Sequence, residues 1–401
     1  MQIFYLLVGA ILTSFTLCPT SSVTAAEKNS SEQLGFVKGF TWGWDGRRGD
    51  YCSQAARDSM TTLAELGCDW VCISFATSMR SFDNPQFYWS ERNPRMVSDQ
   101  DILAAIKLAR AQDLKVILKP VVNCRDGVWR AWIRFFRPLT HAEKLKGIEG
   151  EYDPWGESPG MRKGFVRDEN KWSQWWDNYS SFLSHYAKIA EDEQVELFCI
   201  GCEMSSTEDQ EQQWREIVQE VESIYQGPLI YNANHGREAV IGWWDAVDLV
   251  GISAYYPVPA PSGQTIEDAT QQDTKKTEIV ETLRKVNKEL TTLHHKFKKP
   301  ILFIESGVTS VRGASRYPWS YPESHPENPV SQVEQANYYV AMLEVFWNEP
   351  WFAGFAWWDW PVRLYPLSDA ATNRDFCVHG KQAENVLRKW YAQPRLPGQS
   401  P

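Results

Sequence analysis

The chain has 401 residues, 43% of them apolar, and a formal charge of −10. That length suffices for one large α/β barrel or two average domains. The negative charge argues against nucleic acid and anionic membrane as partners and fits a soluble, monomeric protein acting on a neutral ligand.

Residues 1–26 read as a secretory signal. Ile3–Leu17 is apolar but short for a membrane span, and Val23-Thr24-Ala25-Ala26 offers small residues for cleavage. No Lys or Arg precedes the apolar stretch, so an uncleaved anchor is the second reading. The location expected is secreted or periplasmic. Residues 27–33 read as a polar linker and 34–401 as one domain.

Strand and helix patterns then alternate. Strands are expected at Phe36–Trp42, Asp69–Phe75, Leu114–Val122, Val195–Cys202, Pro228–Asn234, Leu249–Tyr255, Pro300–Glu305 and Phe352–Trp358. Helices are expected at Gln54–Leu66, Asp99–Gln112, Trp172–Glu191, Gln210–Tyr225, Arg237–Trp244, Thr277–His294, Ser331–Trp347 and Lys381–Tyr391. Eight such units predict a single (β/α)8 TIM barrel. Long connections follow strands three (Asn123–Lys171), six (Pro257–Lys275) and seven (Ser306–Val330). They are expected to wall a cleft on the active face.

The eight cysteines become seven once Cys18 leaves with the signal, and an odd number leaves at least one thiol unpaired. Cys72, Cys199 and Cys202 fall in or beside core strands, where thiols behave as small hydrophobes. His occurs seven times with no metal spacing, and no phosphate loop or nucleophile elbow is present. No cofactor is expected.

Two glutamates carry the chemistry. Glu203 ends strand four and Glu305 ends strand seven, at the face where such barrels react. A glycosidic bond is cleaved by one carboxylic acid that protonates the leaving oxygen and one carboxylate that attacks or activates water. The aromatic load, 20 Trp, 18 Phe and 16 Tyr, suits this chemistry, because exposed tryptophan stacks on sugar faces.

The order and spacing of several segments are similar to glycoside hydrolase family 113, the β-mannanases. They are Glu196–Ser206, Tyr231–Tyr256, Lys299–Gly307, Gly313–Trp319, Phe355–Trp360 and Gly380–Tyr391. The resemblance spans most of residues 36–391. It implies a retaining enzyme with Glu203 as acid/base and Glu305 as nucleophile. It also implies Tyr255 beside the nucleophile, Trp357 or Trp358 beneath the sugar, and Lys119 and Asn123 touching the glycone. Asn232 and Asn234 alternate on strand five and are expected to face the barrel mouth, with Trp44 as a further platform. One departure stands out. Much of the wider clan has Asn before the acid/base, whereas this chain has Cys202. The arginine that often orients the nucleophile is not assigned by the sequence. The expected activity is cleavage of β-1,4-mannosidic bonds in a polysaccharide. The rivals are an exo-β-mannosidase, a β-glucanase of the same clan, and a silent carbohydrate-binding barrel.

Overall fold

Short apolar runs with β-branched and aromatic residues become the parallel strands of a closed barrel. In chain order they are β1 (Val37–Trp42), β2 (Trp70–Met79), β3 (Lys115–Cys124), β4 (Leu197–Cys202), β5 (Leu229–Asn234), β6 (Leu249–Ser253), β7 (Ile301–Glu305) and β8 (Phe352–Trp360). Neighbours in sequence are neighbours in the sheet, and β1 closes it by pairing with both β2 and β8. The structure, a computed structural model, describes residues 34–88, 96–150 and 164–398. The expected signal and linker lie outside these residues.

The connecting helices are α1 (Gln54–Glu65), α2 (Asp99–Arg110), α3 (Glu169–Asp192), α4 (Glu211–Ile224), α5 (Lys276–Phe297), α6 (Gln332–Phe346) and α7 (Gln382–Tyr391). Their starts are written in the sequence. Ser53, Ser98, Asp168 and Ser331 each accept a backbone N–H of the first turn, which satisfies a donor the helix leaves open. None of the described helices is long and apolar enough to cross a membrane. The helix expected at Arg237–Trp244 does not form. Residues 235–240 make turns, followed by a 3-10 turn at Trp244–Ala246. Gly236 takes a positive φ of 76°, and the indole N–H groups of Trp243 and Trp244 bond the carbonyls of Glu208 and Glu238. The aromatic spacing there reflects packing of a loop.

Strand alternation sorts side chains into two layers. Val37, Trp70, Ile117, Leu197, Cys199, Ile230, Leu249, Leu302, Ile304 and Ala356 form one buried cluster inside the barrel. Phe198, Ile200, Phe303, Phe355 and Trp357 belong to the larger cluster beneath the helices. The alternation breaks once in β4, where the register with β5 shifts between Cys199 and Gly201. A Cβ on Gly201 would lie 2.7 Å from the Trp214 ring and 2.9 Å from Tyr231, so the outer layer demands glycine there. The shift returns the strand to phase at Cys202, whose thiol faces the barrel interior beside Glu305.

Candidate active site

Glu203 and Glu305 open into one cleft of about 630 Å³, also lined by Trp44, Asn123, Trp129, Arg130, Asn234, His235, Tyr255, Trp319, Tyr321, Trp358 and Phe376. Both carboxylates are nearly buried, with exposures of 6% and 4%. Glu203 follows β4 in the left-handed region, at φ 53°, and its N–H bonds the Asn232 carbonyl at 2.7 Å. A non-glycine residue there costs about 1–3 kcal/mol, and such positions cluster at functional sites.

Glu305 is held by four neighbouring side chains. From β3, the Lys119 ammonium donates to Oε1, and the lysine is fully buried. From β5, Asn232 Nδ2 lies 3.4 Å from the same oxygen. Beyond β6, the Tyr255 hydroxyl donates to Oε2 at 3.2 Å. The Cys202 thiol also approaches Oε1, at 3.5 Å. Burial alone would raise the Glu305 pKa. The Lys119 and Arg130 cations outweigh it, and the carboxyl is held below its usual range.

Glu203 has a different environment. Arg130 Nη2 lies 2.9 Å from Oε2, and Trp129 Nε1 donates to that oxygen at 3.2 Å. Burial raises its pKa. Arg130 opposes the rise and the nearby Glu305 charge adds to it, and the net shift is upward. The cleft therefore contains one carboxyl biased toward the acid and one biased toward the anion.

Arg130 organises the acid side. Its Nε donates to the Cys202 carbonyl at 3.1 Å and its Nη1 to Asn123 Oδ1 at 2.9 Å. Its guanidinium stands 5.8 Å from the Trp44 ring centre. The Ser253 hydroxyl bonds Asn232 Oδ1 at 3.3 Å, so β6 braces the amide that faces Glu305.

Most residues singled out from the sequence converge here, with differences. Trp358 lines the cleft and meets Trp44 edge to face at 5.4 Å. Trp357 does not reach it. One step along the strand, Trp357 points outward, stacks on Phe355 at 4.2 Å and donates its N–H to the Tyr391 hydroxyl at 2.9 Å. Lys119 and Asn232 are fully buried against the nucleophile side and do not line the cleft, whereas Asn123 and Asn234 do. Tyr255 reaches Glu305, while Tyr256 bonds Glu238 instead.

Of the three long connections, those after β3 and β7 wall the cleft. Tyr255 aside, the connection after β6, including the expected Pro257–Lys275, contributes none of its lining. Arg316, from the connection after β7, bonds the Pro259 carbonyl of that loop and Glu278 of α5. The turn after β5 and the loop after β8 take its place with His235 and Phe376. His235 stacks on Trp319 at 5.4 Å and 19°. Burial pushes its pKa down to about 4, so this wall is neutral above that pH. Sequence reasoning missed Trp129, Arg130, His235, Trp319, Tyr321 and Phe376. Trp129 and Arg130 were signalled only as a Trp-Arg pair in the long loop after β3, and Trp319 and Tyr321 only as members of the long connection after β7. Among the described residues no cluster suited to a metal ion occurs.

A family model for Glycoside Hydrolase Family 113 matches residues 40–147 and 153–381. The GH113 β-mannanase AaManA from Alicyclobacillus acidocaldarius, solved in complex with ManMIm, is 36% identical. That similarity covers 90% of this chain and 99% of that one, with a TM-score of 0.71. A GH113 β-1,4-mannanase is 31% identical over 90% of this chain and 100% of its own, with a TM-score of 0.72. A β-glucuronidase from Ruminococcus gnavus, 12% identical with a TM-score of 0.52 over 89% of this chain and 50% of its own, shares the fold alone. None of the curated proteins matches. With most of its length matched by the family model, the chain belongs to glycoside hydrolase family 113 and is a glycoside hydrolase.

Proposed function

We propose that the chain cleaves β-1,4-mannosidic bonds of mannan-type polysaccharides by double displacement. The observation that carries the mechanism is the opposed bias of two carboxyls in one cleft: Glu305 toward the anion, Glu203 toward the acid. The mannan specificity is supported by the two mannanases at 36% and 31% identity.

Glu305 attacks the anomeric carbon while Glu203 protonates the departing oxygen. Lys119 and Tyr255 fix the attacking carboxylate and keep it ionised. As the glycosyl ester forms, Glu305 loses its charge and Glu203 gains one, beside Arg130. Glu203 then takes a proton from water, which releases the sugar with its configuration retained. Trp358 and Trp44 offer aromatic faces to the glycone. Export from the cytoplasm belongs to the same proposal, supported by the signal-like residues 1–26.

The test is reducing-sugar release from soluble β-mannan, with Glu305→Ala as the blank. Release that vanishes in the variant supports the reading, and NMR of early products should show the retained anomer. Inverted product sinks the mechanism, and silence toward mannan with turnover of another β-glycan sinks the specificity.

A further inference from the structure

Lys381 breaks the local rules of its position. It is the N-cap of α7, where a Ser, Thr, Asp or Asn side chain ordinarily accepts a first-turn N–H, and it makes no such bond. A cation at a helix N-terminus is also opposed by the helix dipole. The residue is 1% exposed. Its ammonium meets a hydroxyl and a carbonyl, and among the described residues it forms no ion pair with a carboxylate. Burial pushes its pKa down to about 8. A buried cation so weakly compensated costs stability. A residue that breaks a local rule with no local gain points to a role in the site.

The ammonium joins two walls of the cleft. Lys381 Nζ donates to Ser310 Oγ at 2.8 Å, in the connection after β7, and to the Asp375 carbonyl at 2.7 Å, in the loop after β8. Ser310 Oγ donates onward to the Asn373 carbonyl at 2.8 Å. From α6, the buried Gln335 Nε2 donates to the Phe376 carbonyl at 2.9 Å and to the Val308 carbonyl at 3.0 Å. The peptide units on both sides of Phe376 are thus tied to the barrel. The Phe376 ring meets Tyr255 edge to face at 6.5 Å and forms one buried cluster with Tyr255 and Trp358. Tyr255 in turn donates to Glu305. A continuous line of contacts therefore runs from Lys381 through the Asp375 carbonyl, Phe376 and Tyr255 to the attacking carboxylate.

We propose that Lys381 is a positioning residue for the nucleophile: by tying the Asp375 carbonyl to Ser310 it holds Phe376 against Tyr255, and so holds the Tyr255 hydroxyl on Glu305. Loosening that hydroxyl removes a donor that favours the Glu305 anion. Lys119, Arg130, Glu203 and Cys202, which also face Glu305, are left in place by a change at position 381.

The experiment is a double-mutant cycle: kcat/KM on soluble β-mannan against pH for wild type, Lys381→Met, Phe376→Ala and the double variant. Each single variant should lose about tenfold or more, the scale of one hydrogen bond to a charged group. In each the acid limb of the profile should move to higher pH. The double variant should stay within about threefold of the larger single loss, because both changes act through one contact. Losses that multiply overturn the proposal, and so does an acid limb that stays in place in Lys381→Met, as a merely structural lysine would give. Should melting show that Lys381→Met does not fold, Ser310→Ala, which removes the other end of the same tie, takes its place with the same outcomes. The proposal rests on Glu305 being the nucleophile of a β-glycan hydrolase. A wild type that turns over no β-glycan overturns that reading and this proposal with it, whereas an active wild type with multiplying losses overturns this proposal alone.

Discussion

Arg130 Nη2 and Glu203 Oε2 stand 2.9 Å apart, and the same guanidinium holds the Cys202 carbonyl and the Asn123 side chain. The acid is thus poised between burial, which favours its proton, and a cation, which favours the anion formed when the proton leaves. Arg130→Met should remove the second influence. The Glu203 pKa then rises further, and the alkaline limb of the kcat/KM profile moves to higher pH. The maximal rate should fall about 10- to 100-fold, since a charge-assisted hydrogen bond to the developing carboxylate is lost. A limb that stays in place or moves down would contradict the role given to Arg130.

Lys119 acts on the other carboxyl in the opposite sense. Lys119→Met leaves Glu305 buried without its cation, so its pKa rises and the acid limb of the profile moves to higher pH. Removing one partner of a buried pair costs about 3–5 kcal/mol, which thermal melting detects. The linkage signs agree. Glu305 is depressed in the fold. Its contribution is complete above about pH 4.3, the unfolded value, and is lost as pH falls through the lower folded value. Lys119 is raised: burial opposes its charge, but the Glu305 carboxylate beside it outweighs the burial. Its contribution is complete below about pH 10.4 and lost at higher pH. Melting curves of wild type and variant should differ most between those limits and converge in acid.

Tyr255→Phe removes one hydrogen bond to the nucleophile and nothing else of that size. A hydrogen bond to a charged group contributes about 1.5–3 kcal/mol, so kcat/KM should fall about 10- to 150-fold. Melting temperature should move little. A variant that unfolds early would assign Tyr255 to packing.

Cys202 sits 2% exposed beside the nucleophile, and burial pushes its thiol up to about 12. A buried, protonated thiol is a poor nucleophile. Native protein treated with iodoacetamide near pH 8 should keep its activity, with peptide mass spectrometry finding label on the exposed Cys52 and none on Cys202. Label on Cys202 with loss of activity would show a more open site.

How much of this was legible in the sequence follows from what repeats. Strands announce themselves as short apolar runs, and a Glu that ends such a run has a defined place at the barrel rim. Glu203, Glu305 and the eight-fold alternation were readable for that reason. Trp357 and Trp358 were not separable, because adjacent aromatics suit either face until the strand's phase is fixed by Ala356 in the barrel interior. Lys119 could be placed on a strand, but whether its ammonium met sugar or carboxylate depended on Glu305, 186 residues away. Arg130 and Trp129 lie in a loop with no periodicity, and only tertiary contact gives them meaning. The false helix at Arg237–Trp244 failed for the converse reason: helical spacing of apolar residues arose from two tryptophans packing a turn.

Trp129 and Arg130 are consecutive residues of one connection, and Arg130 opens a 3-10 turn that ends at Trp132. That step supplies a wall of the cleft and the counter-ion of Glu203. A local opening of this segment would disable both while every barrel strand remained paired. Loops of this kind open at lower free energy than core strands. Heating should therefore abolish turnover several degrees before near-ultraviolet circular dichroism reports loss of the aromatic core, and cooling from that interval should restore it. The temperature range of this enzyme is then set by one connection rather than by the scaffold that carries it.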